Sequence, residues 1–324
     1  MLKLAGSRSD RLFFILISEE LTASDYKALT RTGRAEWVSL SADPQEIADI
    51  IARHRLTRAG HKNADHRATA IALVPSAGGV GNTTLAVEIG VFLKTQKANK
   101  DRNICIIDLD FQSSHVCDFL DIQPRLKIQE ISSDPERLDE HLFEIFISRH
   151  SCGLHVFAAP RGRFDVCGLD VAALDAFISM AAKRYDTMLI DLPLTRYDWT
   201  AQLIAASDRA IVTGLNTVPG LRQIAECLAD IRAGMQVPEQ VAIAINRCER
   251  RLIRGVARQR HVESVLADEK VFYIGEEPAA LQSANTGVPV MLAKSSSVLQ
   301  KEIAAIAAFC NEIKPAEAGV SSLS

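Results

Sequence analysis

The chain has 324 residues, of which 48% are hydrophobic and 24% charged, with a formal net charge of -3. That length and balance suit a soluble globular protein with one large α/β unit plus something small, and the charge carries no global signature of nucleic-acid binding. The seven cysteines form no CxxC pair, the usage of reduced, buried thiols in a cytosolic protein. The early apolar run LFFILI is too short for a signal peptide and is soon followed by Glu19 and Glu20. No apolar run reaches the roughly 18 residues of a membrane span.

In chain order, FFILIS and EWVSLS are strand-like. SDYKALTR and PQEIADIIARH are helix-like, with Asp43 or Pro44 placed to open the second. Residues 1–56 therefore hold about half of a small α/β domain, and the polar stretch 57–68 reads as a linker. From residue 69 strands alternate with helices. Expected strands are 70–74, 104–108, 155–159, 187–191, 210–214, 241–246 and 271–275. Expected helices are 82–95, 136–149, 170–184, 199–206, 218–233, 261–267 and 297–313. Short continuous apolar strands alternating with helices predict an α/β fold with a doubly wound, mostly parallel sheet over residues 69–314. The tail 315–324 is expected to be disordered.

The strand AIALV leads into SAGGVGNTT (76–84) and then the helical LAVEIGVFLK. Strand, glycine loop and helix start are the context of a phosphate-binding P-loop. Gly78, Gly79, Val80, Gly81, Asn82, Thr83 and Thr84 are the candidate phosphate cradle, and Thr83 stands where a Mg²⁺-binding hydroxyl belongs. The usual GxxxxGK[ST] pattern would place Lys at position 82, which here is Asn82.

Ligands of doubly wound sheets bind at the carboxyl ends of strands. IIDLDFQSS places Asp108 and Asp110 on alternate positions, a carboxylate pair suited to a hydrated Mg²⁺ or an attacking water. TMLIDLP ends a strand at Asp191, as a Walker B site does. VAIAINRCER offers Asn246 to a base edge. Asp also ends strands simply as a turn former.

These residues resemble the ParA/MinD family of deviant-Walker ATPases, whose loop reads KGGxGK[ST]T against AGGVGNTT here. The resemblance extends over about 69–314, through DLDFQSS, YDTMLIDLP and INR. IGEEPAALQSANTGVPV (274–290) is similar to the CpaE/TadZ pilus-assembly branch, in which a proline-bearing loop precedes such a turn. That branch also carries an N-terminal receiver-like domain, of which residues 1–56 would be a shortened form without a clear phosphoacceptor. The resemblance implies binding of ATP and Mg²⁺, a homodimer, and a cytoplasmic protein that positions a Tad (Flp) pilus secretion apparatus at a pole or inner-membrane site. It implies that Asp110 stands where the water-activating Asp sits, with Asp108 and Asp191 supporting the metal.

The family's two loop lysines correspond to Asn82 and Ala77. Losing two charge-assisted hydrogen bonds weakens binding by about 3–6 kcal/mol if nothing compensates, and hydrolysis suffers more. Asn82 keeps a side-chain donor, and Arg161 and Arg163 lie close enough in sequence to the third strand to restore a charge or to sit in a solvated loop. Weak or absent hydrolysis is the expectation. A ParA-like DNA-partitioning ATPase and a nucleotide-free pseudo-ATPase scaffold are the alternatives.

Six arginines fall between Arg247 and Arg260, and in a helix Arg250, Arg254 and Arg258 would share a face. That patch fits DNA, anionic lipid or an acidic protein, and equally a solvated charged face. The eight histidines show no HExxH spacing. The last helix is amphipathic but lacks a basic polar face, which suits core packing.

Overall fold

The computed structural model describes residues 14–19, 35–43, 47, 68–127, 130–131, 137–161, 170–233, 238, 240–249, 266, 269–293 and 297–311. Nearly all of the helices expected before residue 57, most of the linker, nearly all of 261–267, the tail, Arg163 and the arginines from Arg250 to Arg260 lie outside the described residues.

Strands β1 (Phe14–Ser18) and β2 (Ala35–Ser39) pair in parallel, Phe14 opposite Ala35, as a sheet of their own.

Among the described residues the main sheet has eight strands: β3 (Thr69–Pro75), β4 (Ile104–Asp108), β5 (Ser148–Arg149), β6 (His155–Phe157), β7 (Thr187–Asp191), β8 (Arg209–Leu215), β9 (Gln240–Cys248) and β10 (Lys270–Gly275). Their order is β10-β9-β8-β3-β7-β4-β6-β5, parallel throughout except for β5 against β6. Strands such as ICIID and TMLID are buried along their whole length because helices cover both faces.

Alternation along β3 assigns the two cores. Ala70, Ala72 and Val74 join one with α4 (Val171–Arg184), α5 (Thr200–Ala206) and α6 (Val218–Ala233). Ile71 and Leu73 join the other with α1 (Asn82–Thr95), α2 (Val116–Phe119) and α8 (Val298–Asn311).

Two expected segments take another form, and α2 and β5 are additional. The helix expected at 136–149 is only α3 (Glu140–Ile145). The Asp139 side chain accepts from Leu142 N at 2.7 Å and starts it, and Ser148–Arg149 then breaks away to pair with β6. The expected proline loop is instead α7 (Pro278–Thr286), with Pro in its first turn and Gly287 closing it in the left-handed region at φ 66°. Both ends follow the preference for Pro at a helix start and Gly just past its end.

Candidate nucleotide site

β3 lies between β7 and β8, so the loop leaving it stands where the strand order branches to both sides, the position at which open α/β sheets bind ligands. Gly79 (φ 70°) and Gly81 (φ 91°) take left-handed conformations. A Cβ on residue 81 would also run into Nδ2 of Asn246. No side chain caps α1, whose N-cap is Gly81. Its first-turn N–H groups and helix dipole therefore face the loop, an anion site by construction.

Register draws the acids together. Asp191 lies opposite Leu73 of β3 and opposite Asp108 of β4. Both carboxylates are about 1% exposed, and two buried acids cannot both ionise freely. Asp108 accepts from Ser114 Oγ at 2.6 Å and from Asp110 N at 3.0 Å. Burial and the neighbouring Asp191 push its carboxyl well above the usual range. Burial likewise pushes Asp191 up to about 7; Thr83 and Asn82 oppose the shift and Asp110 adds to it. Asp191 Oδ2 is buried without a hydrogen-bond partner. Asp110 is half-exposed and accepts from Ser113 N at 3.0 Å. The chain turns after β4, so Asp108 and Asp110 are not the equivalent pair that strand alternation suggests.

Asn82 is folded inward at 6% exposure. Its amide donates to Leu73 O at 3.1 Å and to Asp191 Oδ1 at 2.7 Å. The carboxamide thereby ties the helix start to β3 and β7. Asn246 donates to Val80 O at 2.8 Å and accepts from Arg247 N at 2.8 Å, bracing the loop from β9. Arg161 is paired with Asp118 at 3.0 Å and approaches His115, on the solvated surface. Arg247, the described member of the arginine cluster, is exposed and left-handed at φ 53°.

Beside the loop is a cavity of about 360 Å³, bordered by Leu85, Glu88, Asn246, Arg247, Leu281 and Val290. Glu88, not singled out by the sequence motifs, is part of its lining. At 2% exposure it accepts from Val290 N at 2.7 Å, Met291 N at 2.9 Å and, more weakly, Ser283 Oγ at 3.4 Å. Its carboxyl is raised by burial, against the pull of those donors. A sequence signal did exist: α1 is apolar nearly all round, so an acid in its middle had to be buried.

No protein-family model matches the sequence, and no curated protein matches it significantly. Solved structures do match. A ParA family ATPase from Chlorobium tepidum aligns with TM-score 0.65 at 18% identity, over 74% of this chain and 98% of its own. The MinD cell division protein of Aquifex aeolicus aligns with TM-score 0.61 at 19% identity, over 76% of this chain and 99% of its own. The fold is that of the ParA and MinD proteins. Septum site-determining protein MinD of Pyrococcus horikoshii, complexed with Mg-ADP, shares the ParA/MinD fold with TM-score 0.58 at 16% identity, over 76% and 96%. Among the described residues no helix is long and apolar enough to cross a membrane. Nor does any described group of three or more His, Cys, Asp or Glu make a metal site by itself.

Proposed function

We propose that this protein is a nucleotide-binding positioning protein with weak or no ATP hydrolysis, serving the assembly of a Tad (Flp) pilus apparatus. The observation that carries the weak-hydrolysis reading is the inward turn of Asn82, whose amide is committed to Leu73 O and Asp191. No side chain at position 82 reaches out to steady charge in phosphoryl transfer.

The nucleotide reading rests on convergence. The left-handed glycines and uncapped α1 suit phosphate, and the adjoining cavity suits a base. The unpartnered Oδ2 of Asp191, with Thr83 and Asp108, suits a hydrated Mg²⁺. Because the described acids do not form a metal site alone, phosphate oxygens would complete the coordination. Mg²⁺ would supply the charge neutralisation that the loop lacks. Asp110, half-exposed at the same edge, is the candidate to orient a water.

The pilus reading rests on 274–290, which builds α7 and the cavity wall held by Glu88. A homodimer and a receiver-like domain at residues 1–56 belong to the same proposal. A pseudo-ATPase scaffold is the second reading, favoured by the bracing of the loop by the protein's own Asn82 and Asn246 side chains.

The test is titration of the full chain with Mg-ATP, with light scattering and phosphate release on the same samples. Binding with a monomer-to-dimer shift and little turnover supports the positioning protein. Absence of binding at millimolar nucleotide favours the scaffold, and turnover at ordinary ATPase rates would overturn the weak-hydrolysis reading.

A further inference from the structure

We propose that Asn82 removes recognition of the third phosphate, so that the site holds a nucleoside diphosphate at least as tightly as the corresponding triphosphate. The inference rests on the nucleotide reading of this site and goes beyond it to which phosphorylation state is bound.

A P-loop places a lysine ammonium between the β- and γ-phosphates. Here position 82 carries a carboxamide with two N–H donors and one acceptor. One amide nitrogen serves Leu73 O at 3.1 Å and Asp191 Oδ1 at 2.7 Å, which uses both donors. Its Oδ1 is buried without a partner, and an acceptor does not attract phosphate oxygen. The second lysine position is Ala77.

Of the nearby described cations, two are already engaged by the protein. Arg161 is paired with Asp118. Arg196 donates to Pro75 O at 3.2 Å and lies against Cys227. Arg247 borders the cavity, on the base side of the loop.

The acidic groups remain. Asp108, Asp110 and Asp191 gather at the ends of β4 and β7, where a third phosphate would arrive. The backbone cradle and the α1 dipole, which would hold the β-phosphate, are intact. The loss therefore falls on the γ-phosphate selectively: no side chain at position 82 or 77 meets its added charge, the half-exposed Asp110 lies at the same edge, and only Mg²⁺ offsets the charge.

Calorimetric titration of the full chain with Mg-ADP and with a non-hydrolysable Mg-ATP analogue tests this, for the wild type, Asn82→Lys and Asn82→Ala. The wild type is expected to bind the two within about threefold, or to favour the diphosphate. Asn82→Lys should tighten the triphosphate by about ten- to a hundred-fold and the diphosphate by less. Asn82→Ala, which loosens the loop without adding charge, should leave the ratio unchanged. A wild-type preference for triphosphate of about tenfold or more overturns the inference alone, as does an equal gain for both nucleotides in Asn82→Lys. Failure of wild type and Asn82→Lys to bind either nucleotide overturns the nucleotide reading, and this inference with it.

Discussion

Two buried carboxylates, Glu88 and Asp191, stand on either side of the phosphate loop and meet burial in opposite ways. Glu88, on α1, is surrounded by donors: two backbone N–H groups and a hydroxyl close on it, and the segment after α7 is fixed in place. Asp191, at the end of β7, has one oxygen bound by Asn82 and one with no hydrogen-bond partner, beside a second buried acid. The first is a structural strut. The second is left short of positive charge, which is the condition for recruiting a proton or a metal.

The largest expected effect comes from breaking the satisfied side. Glu88→Ala strands the N–H groups of Val290 and Met291, each at about 1–3 kcal/mol, and should lower unfolding free energy by about 2–5 kcal/mol in urea titrations. Glu88→Gln retains one acceptor and should cost about half as much. A wild-type midpoint for Glu88→Ala would remove the strut from this account.

The unsatisfied side is tested through pH. Asp191 is raised from 3.8 to about 7 in the fold, so between those values the folded chain holds a proton that the unfolded chain has released. Its contribution to stability is therefore present at low pH and is lost as pH rises towards about 7. Asp191→Asn should flatten that segment of the stability-pH profile, and Mg²⁺ should raise the melting temperature of the wild type more at pH about 8 than at pH about 5. Equal slopes for wild type and variant would show that Asp191 is not the group responsible.

The smallest effect belongs to the solvated edge. Arg161→Ala removes an exposed pair with Asp118, worth about 0–1 kcal/mol, and should leave nucleotide affinity unchanged. A marked loss of affinity in calorimetry would mean that Arg161 leaves Asp118 to serve the phosphates.

The comparison also explains what the sequence could disclose. Runs such as ICIID and TMLID announce strands buried on both faces, and their terminal acids mark the functional edge, because strand ends depend on local pattern. The glycine loop was legible for the same reason. Hidden were features set by long-range partners. Asn82 reads as a spare donor until Leu73 and Asp191 are brought to it. The burial of Glu88 follows from its apolar helix, but its partners Val290 and Met291 lie about 200 residues on. At 136–149 the helical pattern continues past Ile145, but pairing with β6 takes Ser148 and Arg149. The proline-bearing stretch before the A-N-x-G-x-P turn reads as a loop, yet Pro278 opens α7 and Gly287 closes it.

The main sheet ends at β5, two residues long, antiparallel to its neighbour and carrying the exposed Arg149. A long flat border would present a row of free amides and carbonyls to any similar chain. This border is too short to act as a template for another strand. Crowding many copies together therefore need not seed fibres from that side.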